Sequence, residues 1–244
     1  MKTSSALLLA ASLCLPLSAL AADLPADYVP MKVIQTEPAV FPYNANMIGV
    51  TDGEAHVTIA VDEAGHLTDY LLTAYTHIAF GDAAVAAIKR WRYEPAYMNG
   101  TARSALVDLD FVFESHGIVV VSLDVSTYLE QLHYHLHPGS YGFHVSTLRE
   151  LDRIPTPTKV VRPAYAIDSA KPPTDVVAIT VQFFIDEKGH VRMPSVTRDT
   201  AATNDLLAAS AVAAVSQWEF EPPMSHGRPV LVEVRQEFKF KPKT

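Results

Sequence analysis

Cysteine is almost absent from this chain of 244 residues. Its single cysteine, Cys14, lies in an apolar segment near the N-terminus. We expect that segment to be removed, so the mature chain has no disulfide, no thiol nucleophile and no cysteine ligand for a metal. Disulfide-stapled scaffolds and thiol enzymes are therefore excluded.

Long apolar runs are also missing. The N-terminal run, residues 6–15, is about half of the roughly 20 residues that a membrane-spanning helix needs. It follows Met1-Lys2 and ends at Pro16, just before the small-residue site Ala19-Leu20-Ala21. This arrangement is typical of a secretory signal peptide, and we predict that residues 1–21 are one, cleaved after Ala21, with no stable membrane insertion afterwards. An uncleaved segment acting as an anchor is the alternative.

Basic residues are few, with 19 Lys and Arg against 27 Asp and Glu, for a net charge of -8. Nucleic acids and anionic lipid surfaces would both require basic patches, so neither is an expected partner. The excess of acids lies in residues 38–116, whereas residues 158–244 are nearly balanced. This difference predicts that the two parts do not bind the same partner equally well.

Catalytic motifs are absent as well. The chain has no Gly-x-Ser-x-Gly, His-Glu-x-x-His or Gly-x-Gly-x-x-Gly motif and no phosphate-binding loop. His66 and His190 each follow two carboxylates and could form an acid–base pair, but duplicated turn residues explain them equally well. We expect no enzymatic activity and no cofactor.

The chain does contain one pattern twice. Each copy has an alternating apolar run, an acidic turn with a glycine, a second run, an alanine-rich stretch and a Trp-x-aromatic-Glu-Pro motif. Such a repeat indicates two copies of one small domain. The residues expected to define its structure are Gly65, Trp91, Pro95, Gly189, Trp218 and Pro222.

Periodicity predicts the same elements in both copies. Alternation predicts strands, and high helix propensity after a capping residue predicts a helix. In the first copy the strands are 55–61, 66–75 and 105–113, with a helix over 83–91 capped by Asp82. In the second the strands are 176–185, 190–197 and 230–240, with a helix from Asn204 or Asp205 to Trp218.

A helix on a three-stranded antiparallel sheet is a two-layer module, so the predicted fold class is α+β with two tandem modules. Trp91 and Trp218 are expected to pack in the cores rather than to stack on a ligand. The predicted domains are residues 38–116 and 158–244, joined by a connecting segment, residues 117–157.

The order of these elements resembles the C-terminal domain of TonB, the periplasmic energy transducer of outer-membrane transport. The upstream segments agree, since Phe41-Pro42-Tyr43 and Arg162-Pro163-Ala164-Tyr165 resemble the family's Pro-x-Tyr lead into its first strand. The resemblance implies a periplasmic protein that takes up an extended segment of an outer-membrane transporter as an added strand. The second copy is closer to the family pattern.

By this resemblance, the last strand of each copy would present the binding edge. In the first copy this is Ala105 to Phe113, and in the second it is the strand that carries Val230, Val232, Val234, Phe238 and Phe240. An unpaired strand offers a row of amides and carbonyls to an extended partner. The chain lacks the long proline-rich spacer of a transducer, which favours a binding module. A true energy transducer with a retained anchor, and a scaffold that forms homodimers through its sheet edges, are the alternatives.

The connecting segment contains a capping box at Thr127 and Glu130 and a leucine stripe, which predict a short helix. It also contains His133, His135 and His137. In a helix, His133 and His137 would share a face at a spacing that can chelate a transition metal. Because no carboxylate lies between them, solvated or packed histidines are the favoured interpretation.

Overall fold

The computed structural model describes residues 28–42, 50, 52–114, 119–124, 141–165, 175–197 and 205–242. These residues form seventeen strands and two helices. The strands are β1 Tyr28–Val29, β2 Lys32–Gln35, β3 Gly53–Val61, β4 Leu67–Tyr75, β5 Arg92–Glu94, β6 Ala96–Met98, β7 Thr101–Arg103, β8 Ala105–Phe113, β9 Val119–Asp124, β10 Phe143–His144, β11 Pro157–Lys159, β12 Val177–Ile185, β13 Val191–Val196, β14 Glu219–Phe220, β15 Met224–Ser225, β16 Arg228–Pro229 and β17 Val232–Phe240. The helices are α1 Ile78–Ile88 and α2 Asp205–Val215.

The sheet of the first repeat has five strands where three were expected. Its order is β10-β4-β3-β8-β9, and all its pairs are antiparallel. The expected strands β4, β3 and β8 form the centre. Strands β9 and β10 add one strand to each edge, and both come from residues assigned to the connecting segment. Local periodicity did not reveal them because edge pairing depends on tertiary contacts.

The sheet of the second repeat has three strands in the order β13-β12-β17. It is antiparallel and matches the β4-β3-β8 centre of the first sheet. The molecule is thus mostly sheet with two helices, an α+β fold. Neither described helix has the length and hydrophobicity that crossing a bilayer requires, and the predicted signal peptide lies outside the described residues.

Both helices pack on their sheets through small side chains. Ala84, Ala87 and Ile88 of α1 are fully buried against the first core, and Leu207, Ala211 and Val215 of α2 are fully buried against the second. The predicted start of the first helix and the predicted last residue of both helices were wrong. Helix α1 begins at Ile78, where the Nδ1 atom of His77 accepts a hydrogen bond from the N–H of Ala79 (3.2 Å). Asp82 is therefore inside the helix, and Trp91 and Trp218 follow their helices instead of ending them.

The repeated turn packs against the repeated tryptophan motif. In both turns the aspartate side chain accepts hydrogen bonds from two turn amides, Ala64 and His66 in the first copy and Lys188 and His190 in the second. Gly65 and Gly189 have φ angles of +82° and +87°. A Cβ atom on Gly65 would lie 2.5 Å from the carbonyl oxygen of Tyr93, and one on Gly189 2.0 Å from that of Phe220. Both glycines are thus required by their backbone angle and by this close approach.

Each tryptophan fastens the segment that precedes its repeat. The indole N–H of Trp91 donates to the carbonyl of Glu37 (2.8 Å), and that of Trp218 donates to the carbonyl of Val161 (2.7 Å). The strands after the tryptophans pair with the same upstream segments, β5 with β2 and β14 with β11. Trp91 also stacks on Phe111, with ring centroids 5.6 Å apart. Both indoles therefore pack against their cores, as expected.

The two repeats contact each other through the sheet faces that do not carry the helices. Leu71, Phe184, Met193 and Leu231 form a small buried apolar cluster between them, which we call the interface cluster. Beside it, the guanidinium of Arg192 binds both carboxylate oxygens of Asp69, with Nε 3.0 Å from Oδ2. This ion pair raises the pKa of Arg192. The repeats therefore pack against each other as one unit and are not separate domains joined only by a linker.

Candidate functional site

The edge expected to bind a partner in the first repeat is already occupied. Strand β8 (Ala105–Phe113) pairs on its outer edge with β9 over six residue pairs, from Asp108–Asp124 to Phe113–Val119. Strand β9 comes from the same chain. The expectation that Ala105 to Phe113 presents an open edge was therefore wrong, because the chain itself supplies the added strand.

The equivalent edge in the second repeat is largely open. Strand β17 pairs with β12 along its whole length, from Val232–Ile185 to Phe240–Val177. On its other side, the only pairing within the described residues is an isolated bridge between Ser146 and Val232. There the N–H of Ser146 donates to the carbonyl of Leu231 (2.9 Å). We call the remaining side of β17, from Val234 to Phe240, the open edge.

The two faces of β17 differ in chemistry. The face toward α2 carries Val232, Val234, Gln236, Phe238 and Phe240, of which Val232 and Phe240 are buried. The ring of Phe238 packs edge-on to Trp218, at a centroid distance of 5.8 Å. Val230 lies outside the strand, and its N–H donates to the carbonyl of Pro223 (2.9 Å). An added strand would meet a mainly apolar row on this face, starting from Val234.

The opposite face of β17 alternates in charge. Glu233, Arg235, Glu237 and Lys239 follow one another along it, and each acid contacts a base within the strand. Arg235 lies 3.6 Å from Glu233, and Lys239 lies 3.0 Å from Glu237. The side chains of Arg235, Glu237 and Lys239 are at least half exposed. The open edge therefore has one apolar face and one face of alternating charges.

The end of the connecting segment fastens to both repeats. Residues 143–144 bind the first sheet: Phe143 stacks on Tyr75, with ring centroids 5.4 Å apart, and β10 pairs with β4. Its next residues bind the second repeat. There the carboxylate of Asp152 accepts hydrogen bonds from the N–H groups of His226 and Gly227, both at 2.8 Å. These hydrogen bonds, that of Gly227 first, lower the pKa of Asp152.

The first sheet carries a polar cluster that the sequence motifs did not predict. The Nδ1 atom of His56 contacts Asp110 on the adjacent strand, and its Nε2 atom lies 3.6 Å from Glu54. The hydroxyl of Tyr141 donates to Glu54 (2.6 Å). The alternation of His56 and Glu54 within a strand was the available signal, since it places both on one face. The cluster fastens the start of residues 141–147 to the sheet.

The other histidines of interest are in exposed positions or outside the described residues. His66 and His190 lie 3.4 and 3.5 Å from the carboxylates of Asp62 and Asp186, with side chains 76% and 62% exposed. Within the described residues, no group of three or more His, Cys, Asp or Glu side chains is arranged to hold a metal. The predicted helix and metal candidates His133 and His137 lie outside those residues.

Comparison with known proteins agrees with the geometry. A family model described as Gram-negative bacterial TonB protein C-terminal matches residues 37–115 and 178–242. The two matches coincide with the two repeats and together cover more than half of the chain. A search of curated proteins found no match.

Proposed function

Because this chain belongs to the family of Gram-negative bacterial TonB C-terminal domains, we propose that it is a periplasmic protein-binding module that captures an extended segment of an envelope protein on the open edge of β17. The family is one of protein-interacting domains in outer-membrane transport. An outer-membrane transporter is therefore the partner we favour.

One observation carries this proposal: the first repeat holds an added strand on the edge that the second repeat leaves open. The paired strand β9 places Val119, Val121 and Leu123 opposite the core-facing residues Phe113, Phe111 and Leu109 of β8. Strand addition is thus compatible with this fold at this edge. In the second repeat, no described residue pairs with the same edge from Val234 onward, so an extended partner could pair there.

The two repeats consequently have different roles. The first has its edge closed by β9, and its sheet supports the connecting segment. The second has the open edge, bordered by Trp218 and Phe238. This division agrees with the difference in charge between the repeats.

Capture from an outer-membrane extract tests the proposal. The full chain and a Glu237→Pro variant would be immobilised. The carbonyl of Leu231 faces away from β12 and accepts from Ser146; by the alternation of a strand the N–H of Glu237 faces the same way, so proline at 237 removes a main-chain donor from the open edge. We expect the full chain to retain a transporter and the variant to retain much less. Circular dichroism must show that the variant is folded. A second variant, Val234→Asp, changes the apolar face without removing an N–H group. Equal capture by all three proteins would contradict the proposal.

The retained anchor is the competing hypothesis, and N-terminal sequencing of the protein from cells distinguishes it. A mature start at Ala22 supports the periplasmic module. A start at Met1 in a membrane fraction supports an energy transducer.

A further inference from the structure

The charged face of β17 is not matched by the strand beside it. On β12, the residues directly opposite Arg235, Glu237 and Lys239 are uncharged: Gln182, Thr180 and Ala178. The three charged side chains are each at least half exposed. Directly opposite partners of complementary charge can therefore come only from a strand added on the other side, at the open edge.

The first repeat differs at the corresponding positions. Strand β8 also carries acids on this face, but its inner neighbours on β3 bind them. The hydroxyl of Thr58 donates to Asp108 (2.6 Å), and His56 contacts Asp110. The strand that is added there, β9, carries no base. The segment that suits the second repeat is therefore expected to differ in charge from the strand that the first repeat already holds.

The charged positions that an added strand can reach are limited to three. The bridge between Ser146 and Val232 occupies the beginning of the edge. The side chain of Glu233 is only 14% exposed, so a partner cannot pair with it freely. The positions that remain are Arg235, Glu237 and Lys239.

We propose that the open edge selects an extended segment whose alternate residues are acid, base and acid, with apolar residues between them. The acids would lie opposite Arg235 and Lys239, and the base opposite Glu237. The apolar residues would lie on the other face, beside Phe238 and Trp218. This proposal rests on the proposed function, because it specifies the sequence of the partner at the same edge.

The charge pattern of the segment fixes its register. A shift by two residues would place like charges directly opposite each other, and a shift by four would leave a single pair. A shift by one residue would move the charges of the segment to the apolar face. The order acid, base, acid is the same in both directions, so a parallel or an antiparallel segment meets the same requirement.

Two synthetic peptides test this selection, Val-Glu-Val-Lys-Val-Glu-Val and Val-Lys-Val-Glu-Val-Lys-Val. Fluorescence anisotropy would give the dissociation constant of each labelled peptide with the full chain. We expect the first peptide to bind about tenfold more tightly, since three pairs of opposite charge replace three pairs of like charge. The net charge of the chain, -8, would favour the second, more basic peptide, so net attraction cannot produce this result.

Reversing the charges of the strand shows where the peptides bind. Arg235→Glu, Glu237→Lys and Lys239→Glu together should invert the preference for the peptides. All three side chains are exposed, so the fold should be retained. The control is Arg228→Glu on the exposed strand β16, which changes the net charge by the same amount. It should leave both dissociation constants unchanged.

Equal binding of the two peptides would overturn the proposal. So would binding of neither peptide, or a preference that the reversed strand does not invert. The proposed function is tested separately by capture from the outer-membrane extract. A chain that captures a transporter through the open edge but does not distinguish the peptides would refute only the selection by charge.

Discussion

At the scale of single residues, the repeated motifs are explained by contacts between them. Gly65 and Gly189 allow each turn to lie close to the strand that follows the tryptophan. A Cβ atom added to either glycine would lie only 2.5 or 2.0 Å from a carbonyl oxygen of that strand. The turn residues and their hydrogen bonds could be predicted from sequence, because Asp and Gly have strong local preferences. The close approach to Tyr93 and Phe220 could not, since it depends on how distant segments pack.

This contact makes Gly189 more sensitive to substitution than another glycine with a similar backbone. Gly189→Ala combines an unfavourable φ angle with a clash against a backbone atom, and we expect a loss of about 2 to 4 kcal/mol in unfolding free energy. Gly227 has a φ angle of +71° but nothing within 4 Å of an added Cβ atom. Gly227→Ala should therefore cost only about 1 kcal/mol. Urea denaturation of both variants measures the difference, and equal losses would contradict the packing argument.

The hydrogen bonds of Asp152 make the attachment of the connecting segment to the second repeat depend on pH. The N–H groups of Gly227 and then His226 hold its pKa below the ordinary value. Its contribution to stability is therefore complete above about pH 4, the range of an ordinary Asp, and is lost as the pH falls through the lower folded pKa. We expect Asp152→Asn to lower the urea midpoint at neutral pH and to have little effect in strong acid. Glu63→Gln, in an exposed turn, is the control. A deficit that persists unchanged into acid would refute the assignment.

At the scale of elements, the sequence was most informative where an element is buried on one side. The six central strands and both helices were predicted because each has one face in the core. The start of α1 was misplaced because the His77 cap is weaker as a sequence signal than Asp82. Strands β9 and β10 were missed because their pairing is with distant edges and has no local signature.

Strand β9 should be removable without loss of the first core, because it lies at the edge of its sheet. Val120 is paired with Val112 and is 47% exposed. The carbonyl of Glu54 faces β4, so by the alternation of the strands the even-numbered residues of β8 face β9 and the N–H of Val120 faces β8. We expect Val120→Pro to weaken the pairing of β9 and to increase hydrogen exchange at the amides of β8 that face it. Val120→Thr, on the exposed face, is the control and should leave exchange unchanged. If β8 stays equally protected in the proline variant, β9 is not what closes this edge.

At the scale of the whole molecule, the two repeats are joined by the interface cluster. Its four buried residues come from both repeats, and the ion pair of Arg192 with Asp69 lies beside it. The relative position of the repeats could not be predicted from sequence, because Leu71 and Phe184 look like any other strand residues on a partly exposed face.

The interface cluster should couple the unfolding of the repeats. Phe184→Asp places a charge among buried apolar side chains. We expect calorimetry to show one unfolding transition for the unchanged chain and two for this variant. Asp69→Asn removes only an ion pair whose side chains are both 33% exposed, so its effect on the unfolding free energy should be below about 1 kcal/mol. One undivided transition in the Phe184→Asp variant would mean that the repeats are coupled by other contacts.

The central claim is that the second repeat captures a partner on its open edge while the first, closed by β9, does not. A photo-reactive amino acid placed at Lys239 and, separately, at Val112, the corresponding position in β8, tests it most directly in living cells. We expect a crosslink to an envelope protein from position 239 and none from position 112. Crosslinks from position 112 with none from position 239 would contradict the account.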